Sequence, residues 1–315
     1  KIDLKININK LIYRFYSEMY TKPCLKWVGG KTQILDKVLS QFPSEMENYH
    51  EICLGGGSVL LGLLQRIQQN EIVVHGNVYA YDINAPLINV YKNIQNNHKD
   101  LYVNVSQLVN DYKNCAQGDV NRNPTTLEEA KKNRENYYYW IRGQYNALDN
   151  KSTTRASAMF LFLNKTCFRG LFRMGPNGFN VPYGHYKNPE VLSQSHLEEI
   201  HRLIQGVEFS CSDLSDSMDC AQEGDFMYID PPYAPENTNS FVGYTADGFN
   251  EAKHLELFMK CHSSTNNGVK WLMSNADVNL VRTHFTSCHM EAIQCRRAIN
   301  AKKPDAKTSE LLIKN

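Results

Sequence analysis

The stretch Phe226-Met227-Tyr228-Ile229-Asp230-Pro231-Pro232-Tyr233 is the part of the sequence that decides the fold class. Its first four residues are apolar, as in a strand buried on both faces, and a turn sequence follows them at once. In open α/β sheets, ligands bind outside the carboxyl ends of the strands. The stretch therefore predicts a central strand of an α/β sheet, followed by a loop that binds a ligand.

The chemistry of Asp230-Pro231-Pro232-Tyr233 suits an exocyclic amine on a flat aromatic base. Such an amine is a poor nucleophile, because its nitrogen shares its lone pair with the ring. The Asp230 carboxylate and a neighbouring backbone carbonyl can accept the two N–H bonds and so localise that lone pair on nitrogen. The two prolines make a stiff turn without N–H donors, and Tyr233 offers a face for stacking. The alternative is an ordinary turn that ends a core strand, with Asp230 as its cap.

Upstream of this stretch, strands and helices alternate as is typical of a doubly wound α/β domain. Three consecutive glycines, Gly55-Gly56-Gly57, form the turn after the first predicted strand, and Asp82 ends the second. The strands are predicted at Tyr49–Leu54 and Val78–Tyr81, and the helices at Thr32–Gln41, Ser58–Gln69 and Ala85–Asn96.

The glycine turn lets a ligand approach backbone N–H groups at a helix N-terminus, and Asp82 lies where an acid binds ribose hydroxyls. Such a turn alone could serve NAD, FAD or S-adenosylmethionine. The dinucleotide pattern G-x-G-x-x-G is not kept, because its third position is Leu60. With an amine-activating loop elsewhere in the chain, a sulfonium methyl donor fits better than a hydride carrier.

Two other segments are similar to motifs of different kinds of active site. Gly30-Lys31-Thr32 is similar to the end of a phosphate-binding P-loop, but that motif needs a glycine at position 25, which is Leu25. We interpret Trp27 and Lys31 as lining the cofactor pocket, and the alternative is a glycine turn with a buried tryptophan. Cys24, after a proline, is similar to the nucleophile of cytosine C5 methylation, yet nothing places it near the catalytic loop. A buried cysteine is the favoured interpretation.

Between residues 97 and 205 the strand-helix rhythm stops. We predict a helical and loop-rich insert at 97–205 within a sheet domain of 19–96 and 206–315, with residues 1–18 as an N-terminal extension. The insert has predicted helices at Asp100–Asn114, Leu127–Ala147 and Arg155–Leu163, then a loop and hairpin at Asn164–Pro189. Strands return at Val207–Cys211, Phe226–Ile229, Val269–Met273 and His289–Gln294, with helices at Asn250–His262 and Val278–Phe285.

The distribution of charge indicates a nucleic-acid partner although the net charge is only +1. The segment 151–187 contains six Lys or Arg and no Asp or Glu. Within it, Phe168 is flanked by Lys165 and Arg169, so the loop could push an aromatic ring into a base stack while Arg173 reads a guanine edge. The alternative is a loop packed on its own domain with Phe168 in the core. A second basic cluster comprises Arg296, Arg297, Lys302, Lys303 and Lys307.

Composition excludes several other classes of protein. No apolar stretch approaches the roughly 20 residues of a membrane span. The nine cysteines contain no Cys-x-x-Cys pair, and the ten histidines show no metal-ligand spacing, so we predict neither a disulfide framework nor a metal site. An intracellular protein, acting where the DNA is, fits best.

Taken together, the motifs resemble the Dam-type family of DNA adenine-N6 methyltransferases. The resemblance runs from Pro23 to about Ile313 and keeps the family's own order of motifs. The matching segments are Pro23–Lys31, Glu51–Ser58, Ala80–Asn84, Asn164–Arg173, Gly178–Gly184 and Tyr228–Pro235.

This resemblance implies a Rossmann-like methyltransferase sheet in which the insert 97–205 is the DNA-recognition domain, and it implies a role for each matching residue. S-adenosylmethionine would be contacted by Trp27, Lys31, Gly55, Gly57, Asp82 and Asp230. Catalysis would fall to Asp230, Pro231, Pro232 and Tyr233. Phe168 would be the intercalating aromatic, with Leu171 and Arg173 as base readers, and the full set of DNA contacts would be Lys26, Lys165, Phe168, Arg169, Leu171, Arg173, Pro182 and His185.

The resemblance also implies a substrate, an adenine flipped out of a short site in double-stranded DNA, with GATC first among guesses. Arg169 and His185 replace a common Asn and Arg of the family, so the recognised sequence stays open. Ile52-Cys53 replaces a usual Pro-Phe and removes an aromatic near the cofactor. A cognate restriction endonuclease acting as a separate protein is compatible with the family, and the oligomeric state is open. The alternatives are an N4-cytosine methyltransferase and a DNA-binding homologue that has lost catalysis.

Overall fold

A computed structural model of the chain describes residues 20–235, 249–296 and 307–315. The predicted N-terminal extension, and the C-terminal basic cluster apart from the backbone of its first and last members, lie outside these residues. The described chain forms two compact units. The sheet unit comprises residues 31–54, 62–83 and 206–315, and the helical unit comprises residues up to 30, 55–61 and 84–205.

The helices and strands have the following bounds. The strands are β1 Glu45–Met46, β2 Tyr49–Ile52, β3 Val73–Val74, β4 Val78–Asp82, β5 Met174–Gly175, β6 Gly178–Phe179, β7 Val207–Cys211, β8 Phe226–Ile229, β9 Lys270–Ala276, β10 His289–Arg296 and β11 Lys307–Lys314. The helices are α1 Leu35–Leu39, α2 Ser58–Gln68, α3 Ala85–Lys113, α4 Leu127–Lys131, α5 Arg134–Asn146, α6 Thr154–Thr166, α7 Gln194–Leu203, α8 Leu214–Asp219, α9 Glu251–Asn266 and α10 Asn279–His284.

The sheet unit is built on a seven-stranded sheet in the order β10-β11-β9-β8-β2-β4-β7. Strands β9, β8, β2, β4 and β7 run parallel, and β11 is antiparallel to both of its neighbours. The central strands β2 and β8 are buried at every position, which is why β8 consists of four large apolar residues. The predicted α/β, Rossmann-like fold class is therefore confirmed.

Apolar side chains cover the sheet within this unit. A continuous buried cluster includes Ile229 of β8, Trp271 and Met273 of β9, and Leu257 and Phe258 of α9. A second group is aromatic, where the ring of Phe42 contacts those of Tyr49, Phe226 and Tyr228 at 4.7–5.8 Å between centroids. These contacts hold the central strands rigidly, so the loops at their carboxyl ends start from fixed positions.

The helical unit has its own core of aromatic residues. Phe162 of α6 meets Tyr112 of α3 and Tyr137 of α5 edge-on, at 5.4 and 5.8 Å between ring centroids. The Tyr112 and Tyr183 hydroxyls hydrogen-bond at 2.5 Å, so the end of the segment 164–187 is tied to α3. None of the helices in the described part of the chain combines the length and the apolar character that a membrane span requires.

One helix prediction was wrong and two predicted helices are joined, each for a local reason. The helices predicted at Ala85–Asn96 and Asp100–Asn114 are continuous as α3, with a kink at Asn97 (φ −139°, ψ 33°) where the backbone leaves the helical conformation. The helix predicted at Leu127–Ala147 is interrupted, because the Asn133 side chain accepts a hydrogen bond from the Glu135 N–H and so starts a new helix. The domain boundaries remain predictions, and the boundary at 96/97 falls within α3.

Strand β11 is an element that the sequence analysis does not predict. The signal for it is the apolar run Leu311-Leu312-Ile313, all of it buried. The run is short and directly follows a basic segment, so local pattern alone does not separate it from a terminal tail. Its neighbour β10 continues to Arg296, two residues beyond the predicted end. The pairing of β11 with β9 places Glu310 opposite Ala276.

Candidate active site

The register of the central strands brings two predicted site residues, Asp82 and Asp230, to the edge of the sheet where Cys53 also lies. Ile52 of β2 pairs with Tyr81 of β4 and with Ile229 of β8. The residues that follow them, Cys53, Asp82 and Asp230, therefore lie side by side where the parallel strands end. The Asp230 N–H donates to the Ile52 carbonyl at 3.2 Å, which fixes the start of the loop. This is the edge at which α/β sheets bind ligands.

Asp230 forms a buried ion pair with Lys31. The Lys31 Nζ atom lies 2.6 Å from Asp230 Oδ2, with the two side chains 4% and 20% exposed. Burial raises the pKa of the Asp230 carboxyl above its ordinary value, the Lys31 charge lowers it, and the charge of Glu310 raises it further. Lys31 is therefore the group that favours the ionised form, which is the form that can accept two N–H bonds.

The rest of the catalytic loop is pinned to neighbouring strands. The Tyr233 hydroxyl donates to Glu310 Oε2 of β11 at 2.9 Å, and the Ala234 N–H donates to Asn275 Oδ1 of β9 at 3.1 Å. The Lys31 ammonium lies 5.1 Å from the centroid of the Tyr233 ring. Asn275 and Glu310 are site residues that sequence reasoning missed, because their pairing with the loop depends on strand order.

Cys53 occupies a strained position between the two acids. Its φ is +66°, in the left-handed region that favours glycine. Burial raises the pKa of its thiol well above the ordinary value, and the charges of Asp82 and Asp230 raise it further. The thiol is therefore protonated at neutral pH. The two carboxylates at this edge form an acceptor set suited to hydroxyl groups and to a cationic ligand.

The glycine turn belongs to the helical unit and packs on Trp27. Gly55 and Gly57 have φ values of +51° and +75°, which favour glycine. A Cβ atom on Gly55 would lie 2.9 Å from Trp27 Cδ1, so a side chain there would displace the indole. The Tyr91 hydroxyl donates to the Gly56 carbonyl at 2.6 Å. Trp27 itself is half-buried and stacks on Phe172 at 5.9 Å between centroids, so the alternative of a fully buried tryptophan is not supported.

Asn164 ties two predicted motifs of the helical unit together. Its side chain accepts the Lys26 N–H at 2.8 Å and donates to the carbonyls of Lys26 at 2.8 Å and Gly170 at 3.2 Å. The Lys26 ammonium in turn lies 4.2 Å from the centroid of the Tyr186 ring. Asn164 is 3% exposed, so these bonds form away from water. The backbone of the segment that carries Phe168 to Arg173 is thereby held in place.

The predicted DNA-contacting residues differ in exposure. Phe168 is 44% exposed, which argues against the alternative of a core position. Arg169 has φ +57°, and its guanidinium lies 5.1 Å from the Phe168 ring centroid. Lys165 is half-buried, and burial lowers its pKa, with the charge of Lys26 lowering it further. Leu171 is half-buried as well, and Pro182 is exposed.

Arg173 and His185 are exposed, and each side chain has a polar neighbour. Arg173 donates from Nε to Asn180 Oδ1 at 2.6 Å and from Nη2 to the Asn180 carbonyl at 3.1 Å. Asn180 follows the short hairpin of β5 and β6, so the hairpin orients the guanidinium. His185 has φ +54°, and its Nε2 lies 3.8 Å from Glu135 Oε2. The Arg173 side chain therefore has a preferred direction before any ligand binds.

The two misleading motifs have structural explanations. Cys24 is fully buried, and burial raises the pKa of its thiol to about 11, so it is not a thiolate nucleophile at neutral pH. Lys31 pairs with Asp230, and residues 20–30 contain no strand that would lead into a P-loop. Within the described ranges, no group of three or more His, Cys, Asp and Glu side chains is arranged to hold a metal ion.

Comparison with known proteins identifies the family to which this arrangement belongs. The model of the D12 class of N6 adenine-specific DNA methyltransferases matches residues 27–299. The type II methyltransferase M.MjaIII of Methanocaldococcus jannaschii is 33% identical over 94% of this chain and 100% of its own length. The retron Ec67 DNA adenine methylase of Escherichia coli is 28% identical over 92% of this chain and 89% of its own length.

A third relative, the DNA adenine methylase of Salmonella typhi, is 29% identical over 88% of this chain and 88% of its own length. The family model covers both the glycine turn and the catalytic loop, so the predicted enzyme class is confirmed and adenine is favoured over the cytosine alternative. The chain belongs to the D12 class of N6 adenine-specific DNA methyltransferases.

Proposed function

We propose that this adenine-specific methyltransferase transfers a methyl group from S-adenosylmethionine to the N6 of an adenine flipped out of a short duplex site. The observation that carries the proposal is the buried Lys31–Asp230 pair, which is followed directly by Pro-Pro-Tyr at the carboxyl edge of β8. An ionised acid, a stiff turn without N–H donors and an aromatic face are together what an adenine amine requires.

The residues present fit S-adenosylmethionine as the cofactor. The Asp82 and Asp230 carboxylates at the edge of the sheet suit ribose hydroxyls and a cationic group. Gly55 has no Cβ, and Trp27 packs against the position that a Cβ would occupy. On the family resemblance, Trp27, Lys31, Gly55 and Gly57 also contact the cofactor. When bound, the cofactor supplies a methyl group on a sulfonium centre that is already activated.

In the proposed mechanism, Asp230 and the Pro231 carbonyl each accept a hydrogen bond from one of the two N6 hydrogens of the flipped adenine. The nitrogen lone pair is then localised toward the methyl group. Pro232 keeps the turn stiff, and the Tyr233 ring stacks on the base. Lys31 lowers the pKa of Asp230 and so favours its ionised form. Most of the rate enhancement comes from proximity and orientation, which these contacts provide.

We propose that the segment 151–187 contacts the DNA. Its exposed members Phe168, Arg169 and Arg173 are suited to fill the gap left by the flipped base and to read base edges. Lys26, Lys165, Leu171, Pro182 and His185 complete the proposed set of contacts. The departures Arg169 and His185 support testing sites other than GATC. A cognate restriction endonuclease and the number of subunits stay open.

The test is to express the chain in a host that lacks adenine methylation and to sequence the DNA for modified bases. We expect N6-methyladenine at one short site, and none with Asp230→Ala expressed at the same level. N4-methylcytosine in place of methyladenine would support the cytosine alternative. DNA without any modified base, together with purified protein that binds DNA but transfers no methyl group, would show a homologue that has lost catalysis.

A prediction about pH follows from the Lys31–Asp230 pair. Because the carboxylate is the active form, methyl transfer is lost as the pH falls through the pKa of Asp230. The Lys31 charge lowers that pKa. Lys31→Met should therefore move the acid limb of kcat/KM to higher pH, measured with saturating DNA and varied donor. The matched control is Lys270→Met. Lys270 is exposed and is the first residue of β9, at the end of the strand away from the catalytic loop. An acid limb that stays in place or moves down would contradict the assigned role.

A further inference from the structure

Glu310 is the residue of β11 that reaches the catalytic loop. Its carboxylate accepts the hydrogen bond of the Tyr233 hydroxyl at 2.9 Å, across 77 positions of sequence. The Cys295 thiol of β10 also hydrogen-bonds to this carboxylate. Glu310 is half-buried, and it is anchored by the pairing of β11 with strands on both sides.

We infer that Glu310 is a positioning residue for methyl transfer, which fixes the ring of Tyr233 in the orientation that the target adenine requires. The inference rests on the proposed function, because it takes from it the role of Tyr233 as the stacking surface. It adds to that function a group outside the Asp-Pro-Pro-Tyr motif, on a strand far away in the sequence.

The backbone around Tyr233 is already held on both sides. Two prolines precede it, and the following N–H, that of Ala234, is bonded to Asn275. These backbone contacts do not fix the rotation of the Tyr233 side chain about its Cα–Cβ and Cβ–Cγ bonds. A hydrogen bond at the far end of the ring removes that freedom, because the hydroxyl is the atom most displaced when the ring swings. A stacking surface must be held to within a fraction of an ångström to orient the base.

The surroundings of the Tyr233 hydroxyl make it unsuited to exchange a proton with the substrate. Burial raises the pKa of Tyr233 well above 10, and the charges of Asp230 and Glu310 raise it further. The hydroxyl is therefore protonated over the working range of pH, and its proton is directed at Glu310. The face of the ring, not the hydroxyl, is left to act on the substrate.

A double-mutant cycle tests this inference. Tyr233→Phe and Glu310→Ala should each lower kcat by about tenfold to a hundredfold, the range expected for losing a hydrogen bond to a charged group. The double variant should be no slower than Tyr233→Phe alone, because both changes break the same bond. Glu310→Gln keeps an acceptor for the hydroxyl and should restore most of the activity. Single-turnover rates with a saturating DNA duplex are the measurement.

The matched control is Glu291→Ala. Glu291 lies on the neighbouring strand β10 and accepts a hydrogen bond from Gln41 at 3.1 Å, but it does not bond to the loop. Its kcat should equal that of the wild type, and thermal unfolding of every variant separates folding defects from rate defects. Should Glu310→Ala fail to fold, comparing Glu310→Gln with Tyr233→Phe still decides, since we expect only the latter to be slow.

Three outcomes would overturn the inference: wild-type kcat in Glu310→Ala, additive losses in the double variant, or a Gln variant as slow as the Ala variant. Tyr233→Ala keeps this failure distinct from failure of the proposed function. If Tyr233→Ala transfers methyl groups at the wild-type rate, the stacking role itself is wrong. If Tyr233→Ala is inactive while Glu310→Ala is active, the inference about Glu310 is wrong and the proposed function stands.

Discussion

Asp230→Ala is expected to lower the rate of methyl transfer by about a thousandfold or more, the upper range for removing one preorganised polar group from a reacting centre. Alanine cannot accept a hydrogen bond from the N6 amine, so the lone pair of the amine stays shared with the purine ring. Binding of duplex DNA should change little, since Asp230 is absent from the segment proposed to contact DNA. Radiolabelled methyl transfer and fluorescence anisotropy measure the two properties separately.

The buried position of Lys31 requires a control for this experiment. Removing Asp230 leaves the Lys31 ammonium, which is 4% exposed, without the partner at 2.6 Å, and breaking a buried pair costs about 3–5 kcal/mol of stability. The double variant Lys31→Met with Asp230→Ala removes the buried ammonium as well as the carboxylate. It should regain stability and remain inactive. Recovery of methyl transfer in the double variant would show that the loss in Asp230→Ala came from folding.

Asp219→Ala is the matched surface control. Asp219 is 62% exposed and pairs with Lys260, so its loss should change neither the rate nor the stability appreciably. A comparable fall in activity in this variant would indicate that methyl transfer responds to any loss of an acidic group. Wild-type activity in Asp230→Ala would remove the assigned role altogether.

Arg173→Ala is expected to relax sequence specificity at one base pair by about 1–3 kcal/mol, or roughly 5- to 150-fold in the ratio of kcat/KM values. Asn180 accepts two of the five guanidinium N–H bonds and orients the group, and the remaining donors are available for a guanine edge. Activity on each single-base variant of the recognised site is the measurement. Arg173→Lys should not restore specificity, because an ammonium lacks the planar fork.

Two further variants separate base reading from general attraction to DNA. Arg155→Ala removes an exposed arginine from the same acid-free segment and should weaken binding equally at all sites, if at all. Asn180→Ala removes the side-chain acceptor of Arg173 but keeps the backbone carbonyl, so it should give a smaller loss of specificity at the same base pair. A uniform loss of binding in Arg173→Ala would identify that residue as a phosphate contact.

The positions that sequence predicted well are those whose environment is local. The loop at Asp230 follows a strand whose burial on both faces is visible as four apolar residues. The glycine turn and Asp82 likewise follow predicted strands directly. Because parallel strands end at a common edge of the sheet, the sequence alone predicts that Asp82 and Asp230 lie near one another.

The partners of these residues could not be predicted in the same way. Lys31 was expected to line the cofactor pocket, and the structure shows it paired with Asp230, 199 positions away. The reach of Glu310 to Tyr233 depends on an antiparallel strand whose apolar run is only three residues long. Asn164 lies within a predicted motif, but the sequence did not indicate that its amide would hydrogen-bond to Lys26 and Gly170. Each of these contacts depends on which elements become neighbours, and no local pattern encodes that choice.

The amino-acid sequence by itself determined the α/β class, the order of the motifs and the chemistry of the Asp-Pro-Pro-Tyr loop, because strand burial and turn geometry depend on neighbouring residues in the chain. Only the tertiary structure decided which cation faces Asp230, which acid holds Tyr233 and how Arg173 is oriented. These are interactions between side chains brought together by strand order and by hairpin pairing, and their strength comes from burial, which only the folded chain provides.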